Sequence, residues 1–248
     1  MQFSIGTDRI LVNMADLAQL QAEVLTRLTA GQGFALATLN LDHLAKLTGS
    51  PEFRAAYTAH DLITADGNPI VWMGGIAGQK LALLPGSDLI LPLSRLAAQA
   101  LVPVGLVGST DSSLAQAALA LRTAVPGLHI VVQIAPPMGF DPASAAADGV
   151  LDQLDKAGVR LCFLALGAPK QEIFAANGRL RAPRIGFVSI GAGLDFLSGS
   201  QTRAPLWVRR LALEWVWRML SDPRRMAGRY LQAALVLPGH MWRSWGQR

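Results

Sequence analysis

A single carboxylate in Thr64-Ala-Asp66-Gly67-Asn68 follows an apolar pair and precedes an apolar stretch that begins at Pro69. An aspartate so placed can take a proton from an attacking hydroxyl, a role that contributes roughly 10²–10⁴-fold in rate. The same residues also compose an ordinary turn followed by a helix start. Gly167-Ala-Pro-Lys-Gln-Glu172 closes an apolar strand and opens a helix. Its free backbone N–H groups and Lys170 can hold a phosphate, with Gln171 supplying directed hydrogen bonds, although Pro169 near the first helical position equally fits a plain helix start. Gly191-Ala-Gly193-Leu-Asp195 combines glycines that permit close backbone approach with an acid able to accept from a ribose or base; turn geometry alone also accounts for the glycines.

Several familiar chemistries are excluded. Gln79 stands where a phosphate-binding P-loop in Gly74-to-Lys80 needs glycine, and neither Gly105-to-Gly108 nor Gly191-to-Gly193 completes a dinucleotide fingerprint. His43, His60, His129 and His240 lack metal-ligand spacing, and no two aspartates stand two apart, which disfavours a sugar-nucleotide enzyme holding a divalent ion through Asp-x-Asp. No Gly-x-Ser-x-Gly elbow offers a serine nucleophile. Cys162, the lone cysteine, forms no intrachain disulfide and reads as a buried strand residue.

These clusters need elements to position them. Apolar spacing through Leu17, Leu20, Val24, Leu25 and Leu28 predicts a helix over 14–29. Strands are expected at Phe34–Asn40, Leu101–Gly108, Ile130–Ile134, Arg160–Gly167 and Arg184–Ile190, with helical stretches between them. Apolar strands alternating with helices imply a parallel sheet covered on both faces. In such sheets ligands bind beyond the carboxyl ends of the strands, which makes Thr38–Asn40, Gly108–Thr110, Gly167–Glu172 and Gly191–Asp195 neighbours around one cleft.

The last 46 residues differ from the rest. Arg203 to Arg248 holds nine arginines and five of the six tryptophans against two acids, Glu214 and Asp222, so it carries +7 by formal count where the whole chain carries +5. Arginines beside Trp207, Trp215, Trp217, Trp242 and Trp245, with no lysine, suit an anionic membrane interface. A nucleic-acid patch is the rival reading of this charge. Arg210, Glu214 and Arg218, four apart, predict one polar stripe along a helix, and Asp222-Pro223 a cap and start for a second. No apolar run reaches the roughly 18 residues needed to span a bilayer, and no basic region leads into an apolar one at the N-terminus, so a cytoplasmic protein is expected.

Taken together, the segments resemble the WecG/TagA/CpsF bacterial glycosyltransferases across nearly the whole chain. The resemblance rests on Thr38-Leu-Asn40, Ala65-Asp-Gly67, Gly86-Ser-Asp-Leu89, Gly167-to-Glu172, Gly191-to-Gly199, Arg203-Ala-Pro205, Glu214-Trp-Val-Trp-Arg218, Asp222-Pro-Arg-Arg225 and Arg229-Tyr230. It implies a parallel-sheet, Rossmann-like α/β core over 1–198 and a basic, Trp-rich helical C-terminal membrane-docking appendage over 199–248. It also implies inverting transfer of a sugar from a UDP-sugar to an undecaprenyl-diphosphate-linked saccharide, forming a β-linkage without metal or other cofactor. Members serve exopolysaccharide, teichoic acid or common antigen biosynthesis at the inner face of the cytoplasmic membrane. By this resemblance Asp66 is the base with Thr38 and Asn40 beside it. Gly108, Gly167, Lys170, Gln171, Glu172, Gly191 and Asp195 face the donor, and Arg203, Arg218, Arg225 and Arg229 face the acceptor diphosphate and the membrane.

The expected partners are the UDP-sugar, the polyprenyl-diphosphate-linked acceptor and an anionic membrane surface, with no nucleic acid and with self-association left open. Two departures stand out. Ala82-Leu-Leu84 and Pro85 replace the Glu-Arg-Val that the family places ahead of Gly86, and Gly228 stands before Arg229 where adjacent arginines are usual. The alternative from a different class is a non-catalytic, membrane-associated scaffold of a polysaccharide assembly complex.

Overall fold

The computed structural model describes residues 1–221 and 223–246. A short antiparallel hairpin, β1 (Gln2–Ile5) and β2 (Asp8–Leu11), precedes a six-stranded sheet. Its strands are β3 (Phe34–Leu39), β4 (Leu62–Ala65), β5 (Val104–Gly108), β6 (Ile130–Ile134), β7 (Leu161–Ala165) and β8 (Gly186–Ser189). They are parallel and lie in the order β4-β3-β8-β7-β5-β6. The expectation of a parallel sheet is met.

Every residue of β3, β4, β5 and β8 is buried, because helices cover both faces. Alternation sorts their side chains between two sides. Phe34, Leu36, Leu62, Leu106, Phe163 and Val188 pack in one cluster with α1 (Leu17–Thr29), α5 (Gly86–Gln99), α6 (Asp111–Ala124) and α9 (Gly193–Leu197). On the opposite face Ala37, Leu39 and Ile63 meet α2 (Leu41–Gly49), α3 (Pro51–Thr58) and α4 (Asn68–Ile76). Farther along that face Cys162, Leu164 and Phe187 meet α7 (Ala145–Lys156) and α8 (Lys170–Arg181). Cys162 is completely enclosed there, and burial pushes its thiol pKa well up, as suits a structural residue.

Strand-to-strand moves toward the β4 edge (β3 to β4, β6 to β7, β7 to β8) carry their helices on the second face. The move from β5 to β6, in the other direction, carries α6 on the first. A constant crossover hand requires this division.

The first helix starts at Leu17 and not at residue 14, because Asp16 is its cap: extended backbone lets its carboxylate accept from the Gln19 N–H at 2.8 Å. The C-terminal segment forms α10 (Leu206–Arg210), α11 (Glu214–Ser221) and α12 (Pro223–Trp245). Here the single stripe predicted through Arg210, Glu214 and Arg218 is corrected. The chain turns between α10 and α11, with Ala212 at φ 60°, so Arg210 and Glu214 belong to different helices. Asp222 lies outside the described residues. The last helix packs back on α2 and α4, and its Leu237 joins the apolar cluster beneath them. No helix among the described residues is long and apolar enough to cross a membrane.

Candidate active site

The polar residues of the cleft continue the alternation of the core. Along β3, Phe34 and Leu36 face inward on the α1 and α5 side, and the same period places Thr38 near the strand's end and Asn40 just beyond it. Register places Thr38 opposite Thr64 of β4, so Asp66, two residues on, arrives beside them. Its backbone N–H extends the ladder by donating to the Leu39 carbonyl at 2.8 Å. Thr38 Oγ1 and Asn40 Nδ2 both donate to Asp66 Oδ2 at 3.4 Å.

The Asn40 amide has one possible orientation. Its Oδ1 caps α2 by accepting from the His43 N–H at 2.9 Å, and a backbone N–H can only donate, so Nδ2 must face Asp66. Beneath Thr38, the buried Tyr57 hydroxyl donates to the Thr38 carbonyl at 3.1 Å. That uses the only phenolic proton, so His43 Nδ1 must be the donor in its 2.8 Å bond to Tyr57. Burial, with the nearby charges of Glu172 and Asp66, raises the Tyr57 pKa far above the ordinary value and keeps that proton in place.

A cavity of about 340 Å³ opens above these groups. Its walls include Thr38, Asn40, His43, Lys46 and Asp66, then Pro85, Gly86 and Ser87 at the start of α5. Gly167, Ala168 and Gln171 come from the start of α8, and Gly191 and Ala192 follow β8. Three helices of eight or more residues, α2, α5 and α8, thus begin at its rim, each presenting N–H groups without intrahelical partners. Gly86 is required for this: a Cβ there would sit 2.8 Å from Ile190 Cα and 2.9 Å from the Ser189 carbonyl oxygen, so only glycine lets α5 start against the end of β8.

From the C-terminal segment, Gln201, Thr202, Arg203, Ala204, Glu214 and Trp217 complete the wall. Both Nη atoms of Arg203 hold the Asp88 carboxylate, the Nη2 contact at 3.0 Å, and Arg209 approaches the same carboxylate at 3.8 Å. Burial works against the Arg203 charge, but the hydrogen bond and charge of Asp88 outweigh it and hold its pKa above the ordinary value. The Arg203 guanidinium also lies 5.9 Å from the Phe196 ring centre.

The other expected site residues divide. Gly167, Gln171 and Gly191 line the cavity with Asp66, Thr38, Asn40 and Arg203, whereas Lys170 does not. Glu172 is wholly enclosed behind Gln171. Asp195 stands one residue back: Ser109 donates to its Oδ1 and Gln201 donates to its Oδ2 at 2.8 Å, so it holds a wall residue in place. Gly108 packs, since a Cβ would fall 2.3 Å from the Ala165 carbonyl oxygen. Arg218, Arg225 and Arg229 lie outside the described side chains. Sequence reading passed over His43 and Lys46, although Asn40-x-x-His43-x-x-Lys46 is the spacing of one helical face leading away from a cap. Among the described residues no group of three His, Cys, Asp or Glu side chains is placed to hold a metal ion.

A carboxylate held by two neutral donors, beside a cavity ringed by helix N-termini and an arginine, is arranged to accept a proton while an anion is held nearby. The model of the WecG/TagA/CpsF family of glycosyl transferases matches residues 7–248. The chain belongs to this family. It is accordingly a transferase for glycosyl groups in cell-envelope polymer synthesis, with a sugar donor and an acceptor as its substrates.

Proposed function

We propose that this glycosyltransferase moves a sugar from a UDP-sugar to an undecaprenyl-diphosphate-linked saccharide, with inversion to a β-linkage and without a metal ion. The observation that carries the reading is the placement of Asp66 at the cavity floor between Thr38 and Asn40, facing the rim where α2, α5 and α8 begin. The acceptor hydroxyl oxygen bonds to the anomeric carbon and its proton passes to Asp66. The bond from that carbon to the diphosphate breaks on the opposite face, and its electron pair leaves on UDP. The growing charge is met by the N–H groups at the starts of α5 and α8. Thr38 and Asn40 keep the carboxylate aimed at the hydroxyl.

The 199–248 segment serves as the appendage that closes the cleft and meets the membrane. Exposed Trp207, Trp215, Trp242 and Trp245 and its excess of arginines support attachment to an anionic leaflet on the cytoplasmic side. Arg218, Arg225 and Arg229 join Arg203 toward the acceptor diphosphate.

The test is UDP release by purified protein from UDP-sugars, given a short polyprenyl-diphosphate-linked saccharide with EDTA present. Release that requires the lipid-linked acceptor and survives EDTA is the expected result. Saturable calorimetric heat with UDP separates a transferase from a scaffold, which gives none.

A further inference from the structure

We infer that Glu172 is a positioning residue that locks the side-chain amide of Gln171 across the floor of the cavity. This rests on the donor-binding reading of Gln171 given above. Gln171 is 3% exposed and lines the cavity. The Gly191 N–H donates to its Oε1 at 3.0 Å, and since that N–H can only donate, the Gln171 amide nitrogen must point the other way. There its Nε2 donates to Glu172 Oε1 at 2.8 Å. The amide is therefore pinned at both ends, between the turn after β8 and its own neighbour on α8. One Nε2–H remains for a ligand.

Burying a carboxyl at this point has a cost the fold need not bear. Glu172 is fully enclosed, and its Oε2 has no hydrogen-bond partner. Its neighbours on α8, Ile173, Phe174 and Ala175, are apolar and buried. An apolar side chain of similar size would leave no unpaired oxygen, so what the carboxyl adds at this position is the bond its other oxygen makes to Gln171. Burial, with the charge of Asp42, raises its pKa from 4.5 to about 7 against the pull of the Gln171 amide, its own backbone N–H and Lys46, so it changes charge near neutrality.

Among the described residues, Lys46 and Asp42 on α2 and Tyr57 on α3 act on it, and His43 of α2 is bonded to that Tyr57. Strands β3 and β8 bring no titratable side chain to α8. Two of the three acids of α7, Asp148 and Asp152, pair with Arg181 at the far end of α8, where Arg179 pairs with Asp61. Both charge states of Glu172 keep Oε1 as an acceptor. The ionised state makes the stronger, charge-assisted bond, which ties the grip on Gln171 to pH.

The test is nuclear magnetic resonance of the ¹⁵N-labelled full chain, with the Gln171 side-chain amide identified by its loss in Gln171→Ala. From pH about 5.5 to about 8.5 this amide is expected to shift with one midpoint near neutrality, and to stay put in Glu172→Gln, which keeps an acceptor but cannot ionise. UDP titrations then read the consequence. Glu172→Gln is expected to bind within about twofold of the parent, and Glu172→Leu to weaken by about tenfold, as much as Gln171→Ala. The double variant should be no weaker than either single one. A Gln171 amide that does not titrate overturns the proposal, as does Glu172→Leu binding like the parent, or losses that multiply in the double variant. Should Glu172→Leu not fold, the amide titration and its absence in Glu172→Gln decide alone. Failure of the parent to bind UDP refutes the donor reading, and the role of Glu172 is then decided by the amide titration.

Discussion

His60 and Glu172 are buried groups that titrate in opposite senses, and between them they should flatten the pH dependence of stability. His60 donates from Nδ1 to the Ala56 carbonyl at 2.7 Å and leaves Nε2 unpartnered, and burial lowers its pKa from 6.5 to about 4. A lowered folded-state pKa gives a contribution that is complete above 6.5 and lost as pH falls toward 4. Burial raises Glu172 from 4.5 to about 7. Its contribution is complete below 4.5 and lost as pH rises toward 7. At about 1.4 kcal/mol for each tenfold change in proton affinity, each gap is worth about 3 kcal/mol, so the two slopes nearly cancel between 4.5 and 6.5. Glu172→Gln removes the falling slope. Relative to the parent, its stability should climb by about 3 kcal/mol from pH 4.5 to pH 7. Urea unfolding midpoints across this range measure the difference directly. Parallel curves for the two proteins would refute the argument.

Two further substitutions test how the cleft is built. Gly86→Ala, whose new Cβ would meet Ile190 and the Ser189 carbonyl, should cost about 1–3 kcal/mol and weaken UDP binding by moving the start of α5. Gly75→Ala has nothing within 4 Å of its Cβ and serves as the stable control; thermal melts and UDP calorimetry read both. Asp88→Ala removes the shared partner of Arg203 and Arg209, so cleavage by trypsin at these arginines should become faster while the sheet's melting transition stays in place.

How far the sequence carries the fold depends on how each residue is used. Strands β3, β5, β7 and β8 announce themselves as apolar runs because both of their faces are covered, and the rule that ligands bind beyond carboxyl ends then gathers Thr38, Gly167 and Gly191. The four-residue β4 is too short to stand out, yet it delivers Asp66. Pairing order is also hidden: nothing in the chain announces that β8 lies against β3, which is what brings Gly191 to the floor with Thr38. The tail misled for a local reason, since a four-residue charge spacing survives in sequence when a left-handed residue such as Ala212 breaks the helix. Glu172 and Gln171 are adjacent in a motif suited to phosphate binding, but successive helix positions point in different directions, so one lines the cavity and the other is enclosed. The Arg203 and Asp88 pair joins positions far apart in sequence, and no local pattern encodes it.

The central claim is that Asp66 is the base of a sugar transfer. The direct measurement is turnover of a UDP-sugar against a polyprenyl-diphosphate-linked saccharide by Asp66→Asn, alongside its calorimetric affinity for UDP. The amide keeps the size of the carboxyl but cannot take the proton, so turnover should fall by roughly 10²–10⁴ while UDP affinity stays within about twofold. Full turnover by Asp66→Asn would contradict the account.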